Sequence, residues 1–145
     1  MINEQVKATG ELQVVLTGPD GKVKETKTIP NLVVTTGKNF IASRMVGTPT
    51  AMSHMAIGSG TGAAAAGDTA LGTELGRVSL TSSTSAGAVV TYVATFGAGT
   101  GTGAVTEAGI LNAASAGTLL CRTVFAVVNK GADDSLSITW TITIS

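Results

Sequence analysis

The sequence predicts an all-β chain, a jelly-roll-like antiparallel β-sandwich with one short helix, and three observations carry that prediction. The C-terminal run alternates throughout: Leu136, Ile138, Trp140, Ile142 and Ile144 interleave with Ser135, Ser137, Thr139, Thr141, Thr143 and Ser145. About eight short runs of strand character recur along the chain, each bounded by glycine-rich turn signals, and the jelly roll is the eight-stranded, paired-sheet solution. Only one stretch shows helical spacing.

The first ten residues contain, after Met1, only Ile2 and Val6 as large apolar side chains. That is too little for a core element, so residues 1–10 are expected to be an N-terminal arm and residues 11–145 a single sandwich domain. Such a segment is either frayed or ordered by something outside its own domain; an extended arm adds main-chain hydrogen bonds to a neighbour's free strand edge, which makes Ile2, Val6 and Lys7 the candidate partner contacts. Glu11 to Thr17 and Lys22 to Ile29 then flank the turn Gly18-Pro19-Asp20-Gly21 as a hairpin. Lys22, Lys24 and Lys27 mark its second strand as a solvated edge.

Thr36 is placed to cap a helix with Phe40, Ile41, Arg44 and Met45 at helical spacing, which Gly47 and Pro49 stop. Met52 to Ile57 is a strand before Gly58, and Asp68 to Leu75 adds a helical turn against the resistance of Gly72 and Gly76. Val78 to Ser82, the loop Ser83 to Gly87 and Ala88 to Phe96 read as a second hairpin, with Val90, Tyr92 and Phe96 on one face. Val105 to Asn112 follows a tract holding Gly97, Gly99, Gly101 and Gly103. Thr118 to Val128 leads through Asn129 to Asp134, read as a hairpin loop, into the C-terminal strand. One apolar and one hydroxyl face there is the signature of an antiparallel sheet. The core is expected at Tyr92, Phe96, Ile138, Trp140 and Ile142.

Composition narrows function. Nine Lys and Arg balance nine Asp and Glu, so no broad field exists to hold nucleic acid or an anionic membrane. The first fifty residues hold a mild positive excess, which a solvated edge strand explains. No apolar run reaches the roughly 18 residues of a membrane span, and the N-terminus lacks signal-peptide character, so synthesis in a cytoplasm is expected. Cys121 is the sole cysteine and reads as a small buried hydrophobe. With 12% charged and 43% hydrophobic residues, little charge keeps one copy from another, which points to self-association or an obligate partner.

No catalytic, cofactor or metal set emerges. His54 is the sole histidine and sits in a strand-like stretch, without the partners a hydrolytic triad or a transition-metal site requires. Gly58-Ser59-Gly60-Thr61-Gly62 and Gly97-Ala98-Gly99-Thr100-Gly101 resemble phosphate loops only in glycine content, since no lysine lies between Lys38 and Lys130. Glu74 and Glu107 could suggest a glycosidase pair, but the aromatic platforms of a sugar site are missing from a chain with one Trp, one Tyr and three Phe. Asp133 and Asp134 belong to a loop rather than a calcium cage.

Several segments in series resemble a pattern of bacteriophage structural proteins. They are Met55-Ala56-Ile57-Gly58-Ser59-Gly60-Thr61, Ala66-Gly67-Asp68-Thr69-Ala70-Leu71 with Glu74-Leu75-Gly76-Arg77, and Val90-Thr91-Tyr92-Val93-Ala94-Thr95-Phe96. Glu107-Ala108-Gly109-Ile110-Leu111-Asn112, Leu120-Cys121-Arg122-Thr123-Val124-Phe125 and Ile138-Thr139-Trp140 complete the series. The resemblance is to small capsid cement or decoration proteins and to tail or tail-fibre modules. It implies a sandwich that assembles on a particle without catalysis. The expected partner is the major capsid protein, with a homo-oligomer, dimer favoured and trimer possible, on the outer surface of the virion head; the alternative is a tail module contacting receptor or baseplate. Glu74, Arg77, Glu107 and Arg122 recur in the series and are expected to tie loops to strands as ion pairs, the alternative being that one of them meets the partner subunit.

Overall fold

The computed structural model describes residues 4–145. Ten strands and one helix follow in the order β1 (Ala8–Thr17), β2 (Val23–Pro30), β3 (Leu32–Val33), α1 (Thr35–Ser43), β4 (His54–Gly58), β5 (Glu74–Ser79), β6 (Ser82–Ala86), β7 (Val89–Phe96), β8 (Gly103–Leu111), β9 (Leu119–Lys130) and β10 (Ser135–Ile144). They form two five-stranded antiparallel sheets, β2-β1-β10-β7-β6 and β3-β9-β8-β4-β5, packed as an all-β sandwich. Among the described residues no helix is long and apolar enough to cross a membrane.

β10 organises the first sheet because its alternation matches both neighbours. Leu136, Ile138 and Trp140 stand opposite Leu16, Val14 and Leu12 of β1 on one side, and opposite Phe96, Ala94 and Tyr92 of β7 on the other. Each inward side chain therefore lies in an apolar row across three strands. A register slip of one residue would turn the whole row to water, so burial itself fixes the pairing. Trp140, Phe96, Ile138 and Ile142 are buried, while Tyr92 is half-buried and packs against the cluster. The second sheet answers with Val33, Met55, Ile57, Val105, Ile110 and Cys121. A smaller cluster of Val34, Ala56, Leu111 and Leu119, closed by Leu71, lies apart from this core.

Several elements differ from the sequence expectation. The arm is shorter than residues 1–10: Ala8, Thr9 and Gly10 already pair with Ile144, Thr143 and Ile142. Lys7 exchanges both main-chain hydrogen bonds with Ser145, at 2.6 and 2.8 Å. The reason is that β10 runs to its end and its outer main-chain groups need partners, whatever side chains the partner strand carries. Thr36 does not cap α1, whose N-cap is Val34 with no side-chain hydrogen bond; its hydroxyl donates instead to the Leu119 carbonyl at 2.8 Å. The helix leans on β9 at Gly37, where any Cβ would collide with the Leu120 carbonyl.

No helical turn forms over Asp68 to Leu75, where β5 begins at Glu74. Ser83 to Ala86 are not loop but belong to edge strand β6, and the reversal is confined to Gly87 and Ala88, with Gly87 at φ +59. Asn129 to Asp134 is no hairpin loop, because β9 and β10 lie in different sheets. The crossing is anchored by the buried Lys130, whose Nζ donates to the carbonyls of Gly97 and Asp134 at 2.8 Å each. Asp134 in turn accepts from Lys24 Nζ at 2.8 Å and from the Gly131 N–H at 2.8 Å.

Candidate functional site

The connection over residues 59–73, between β4 and β5, is long for a compact sandwich, and loops of that length need anchors. Its anchor is Glu107 of β8, which is fully buried. The carboxylate accepts the N–H groups of Gly60 at 2.6 Å, Gly72 at 2.7 Å and Thr73 at 2.8 Å, and the Nε of Arg122 at 3.1 Å. Such an approach requires bare backbone: a Cβ on Gly60 would sit against the Glu107 carboxylate. Arg122 of β9 continues the network, donating to Asp68 Oδ2 at 2.9 Å and to the Gly62 carbonyl at 3.0 Å.

Burial pushes the Glu107 carboxyl up, but three N–H donors and the guanidinium outweigh it and hold the group below the usual carboxylate range. Asp68 is likewise lowered, by the Ala65 N–H against some burial and then by Arg122. A second pair, Glu74 and Arg77 at 2.7 Å, ties another loop, because Arg77 also donates to the carbonyls of Ala113 and Ala116 at 2.9 Å each. The four charges singled out from the sequence are thus two separate loop anchors.

The remaining chemical candidates fall apart in space. His54 is half-buried, with Nδ1 2.8 Å from the Ser53 hydroxyl and Nε2 3.4 Å from that of Ser79, and no carboxylate is among these partners. The thiol of Cys121 is fully buried, which pushes it well above the ordinary thiol range. Among the described residues no group of three or more His, Cys, Asp and Glu side chains gathers as a metal site. Of the expected partner contacts, Ile2 lies outside the described residues, Val6 is 78% exposed, and Lys7 is exposed with its main chain held by Ser145.

The surface feature not anticipated from the sequence lies beside the edge strand β6. Between α1 and the edge strand β6 runs an open cleft of about 350 Å³, whose apolar wall includes Phe40, Ile41, Met52, Val90, Tyr92 and Ile144. Ser83, Thr84 and Ser85 of β6 and Arg44 also line it. Next to Arg44 in the chain stand Met45 and Val46, 86% and 93% exposed. They are large apolar side chains held almost wholly in water, next in the chain to a residue that lines the cleft. The only sequence signal for it was the Met45-Val46 pair in a turn, where polar residues are the rule.

No protein-family model, curated protein or solved structure matches the chain.

Proposed function

We propose that this protein is a structural component of a bacteriophage particle, a cement protein that binds the outer surface of the major capsid protein and stabilises the head. The observation carrying this reading is the joint occurrence of an uncharged sheet edge, an apolar cleft and the exposed Met45 and Val46 on a chain with only 12% charged residues. Such a surface favours contact with other subunits over free existence. The residues behind the resemblance support the reading in kind: Glu107, Arg122, Glu74 and Arg77 spend their charge on pinning loops. A rigid sandwich with fixed loops suits a protein that must present one invariant surface many times over a lattice.

The test is reconstitution. Purified protein added to particles lacking it should co-sediment with heads and raise the temperature at which they release DNA. If it binds tails and leaves that temperature unchanged, the tail-module alternative replaces the capsid reading.

A further inference from the structure

We infer that the chain forms a twofold dimer through β6, edge to edge with the β6 of a second copy, so that the two β2-β1-β10-β7-β6 sheets become one continuous sheet. The inference does not depend on the virion reading.

The argument starts from how the other sheet edges are protected. Free strand edges invite pairing, and folded proteins blunt them with charge, proline, bulges, brevity or cover. β2 carries Lys24, Glu25 and Lys27, ends in Pro30 and meets β1 through a register shift at Leu16 and Thr17. Its lysines also reach across to Asp134 and to the Ala126 carbonyl. β3 is two residues long. β5 bears the Glu74–Arg77 pair and meets β4 through a shift at Ile57 and Gly58. β6 has none of these devices. Ser82-Ser83-Thr84-Ser85-Ala86 is exposed at every position, has no charge and no proline, and pairs with β7 in unbroken register.

A second copy is the occupant that fits, because the patch complements itself. An isologous contact requires one surface to supply both halves of every interaction. Antiparallel pairing of β6 with itself about Thr84 sets Ser82 against Ala86 and Ser83 against Ser85. No charged residues meet anywhere along it. Hydroxyl pairs of this kind are favourable across strands. The same strand lines an apolar cleft with Ser83, Thr84 and Ser85, and Met45 and Val46, which follow the cleft residue Arg44 in the chain, are large apolar side chains without cover. A foreign peptide would find main-chain partners on β6 but no charged group on that strand to select it.

The experiment measures oligomeric state across a concentration series by sedimentation, for the intact chain and for Thr84→Lys. Thr84→Lys places a lysine against itself across the twofold axis, and the dimer dissociation constant should rise at least about tenfold. Thr84→Cys gives a second readout. Residues directly opposite in an antiparallel pair lie about 4.5–5.5 Å apart between Cα atoms, within disulfide range. Cys121 is fully buried and silent, so Thr84→Cys should oxidise to a covalent dimer while Val23→Cys on the β2 edge stays monomeric on a non-reducing gel. A wild-type chain that remains monomeric up to millimolar concentration overturns the proposal. So does a dimer that Thr84→Lys leaves intact, or one that Thr84→Cys fails to cross-link. If Thr84→Lys does not fold, the cysteine result decides.

Discussion

Trp140→Ala is expected to lower the unfolding free energy by about 3–5 kcal/mol, the range for removing a large aromatic from a packed core. The indole is fully buried at the middle of the central strand β10, between Leu12 of β1 and Tyr92 of β7. Deleting it opens a cavity that two paired strands cannot collapse into without breaking register, so the upper part of the range applies. Trp140→Phe should cost clearly less. The indole Nε1 has no hydrogen-bond partner among the described residues, so phenylalanine forfeits volume but no polar contact. Urea titration followed by circular dichroism separates the two; a loss below about 1 kcal/mol for the alanine variant would mean that β10 does not organise the core.

Glu107→Ala is expected to be as damaging, for a different reason. It leaves Arg122 buried without its carboxylate and strips the N–H groups of Gly60, Gly72 and Thr73 of their acceptor. Breaking one side of a buried ion pair costs about 3–5 kcal/mol. Replacing both partners with apolar residues, Glu107→Leu with Arg122→Met, should recover part of the loss, because no uncompensated charge remains. The anchor also dictates an acid response. The folded-state values of Glu107 and Asp68 lie below the ordinary 4.5 and 3.8, so their ionised forms stabilise the fold fully at neutral pH. That contribution persists above the unfolded-state values and is lost as pH falls through the folded ones. Stability of the intact protein should therefore decline from about pH 4.5 downward, and Glu107→Ala should show a flatter decline. Urea midpoints measured between neutral and acid pH report both effects; parallel profiles would show that Glu107 is not the anchor.

These two sites differ in how far the sequence reveals them. β10 is legible because a half-buried strand writes its two faces into alternate residues. Glu107 and Arg122 were visible as charges in strand contexts, but their donors were not. The N–H groups of Gly60, Gly72 and Thr73 reach Glu107 only because the 59–73 loop folds back, and main-chain donors leave no mark on side-chain identity. β6 escaped for the opposite reason. Ser-Ser-Thr-Ser-Ala has no large apolar residue for a period to register, and it is a strand because β7 offers it a ladder and Gly87 the turn. The Asn129 to Asp134 link shows a third limit: turn chemistry signals that the chain leaves a strand, not which sheet it joins next. What decides the crossing is the burial of Lys130 and Asp134, a contact made with Gly97 and Lys24 far along the chain.

The cleft was hidden by distance in the same way. Phe40 and Ile41 come from α1, Val90 and Tyr92 from β7, and Ile144 from β10. Each alone reads as an ordinary core residue. Together they line one open cleft beside β6, a juxtaposition that no single segment of the chain announces.

The claim that this sandwich is a head protein is tested most directly by its copy number in purified virions. Gel densitometry against the major capsid protein should find it in a fixed ratio of the same order as the capsid lattice itself. A band amounting to only a few per cent of that number, as a tail component gives, or no band at all, would contradict the account.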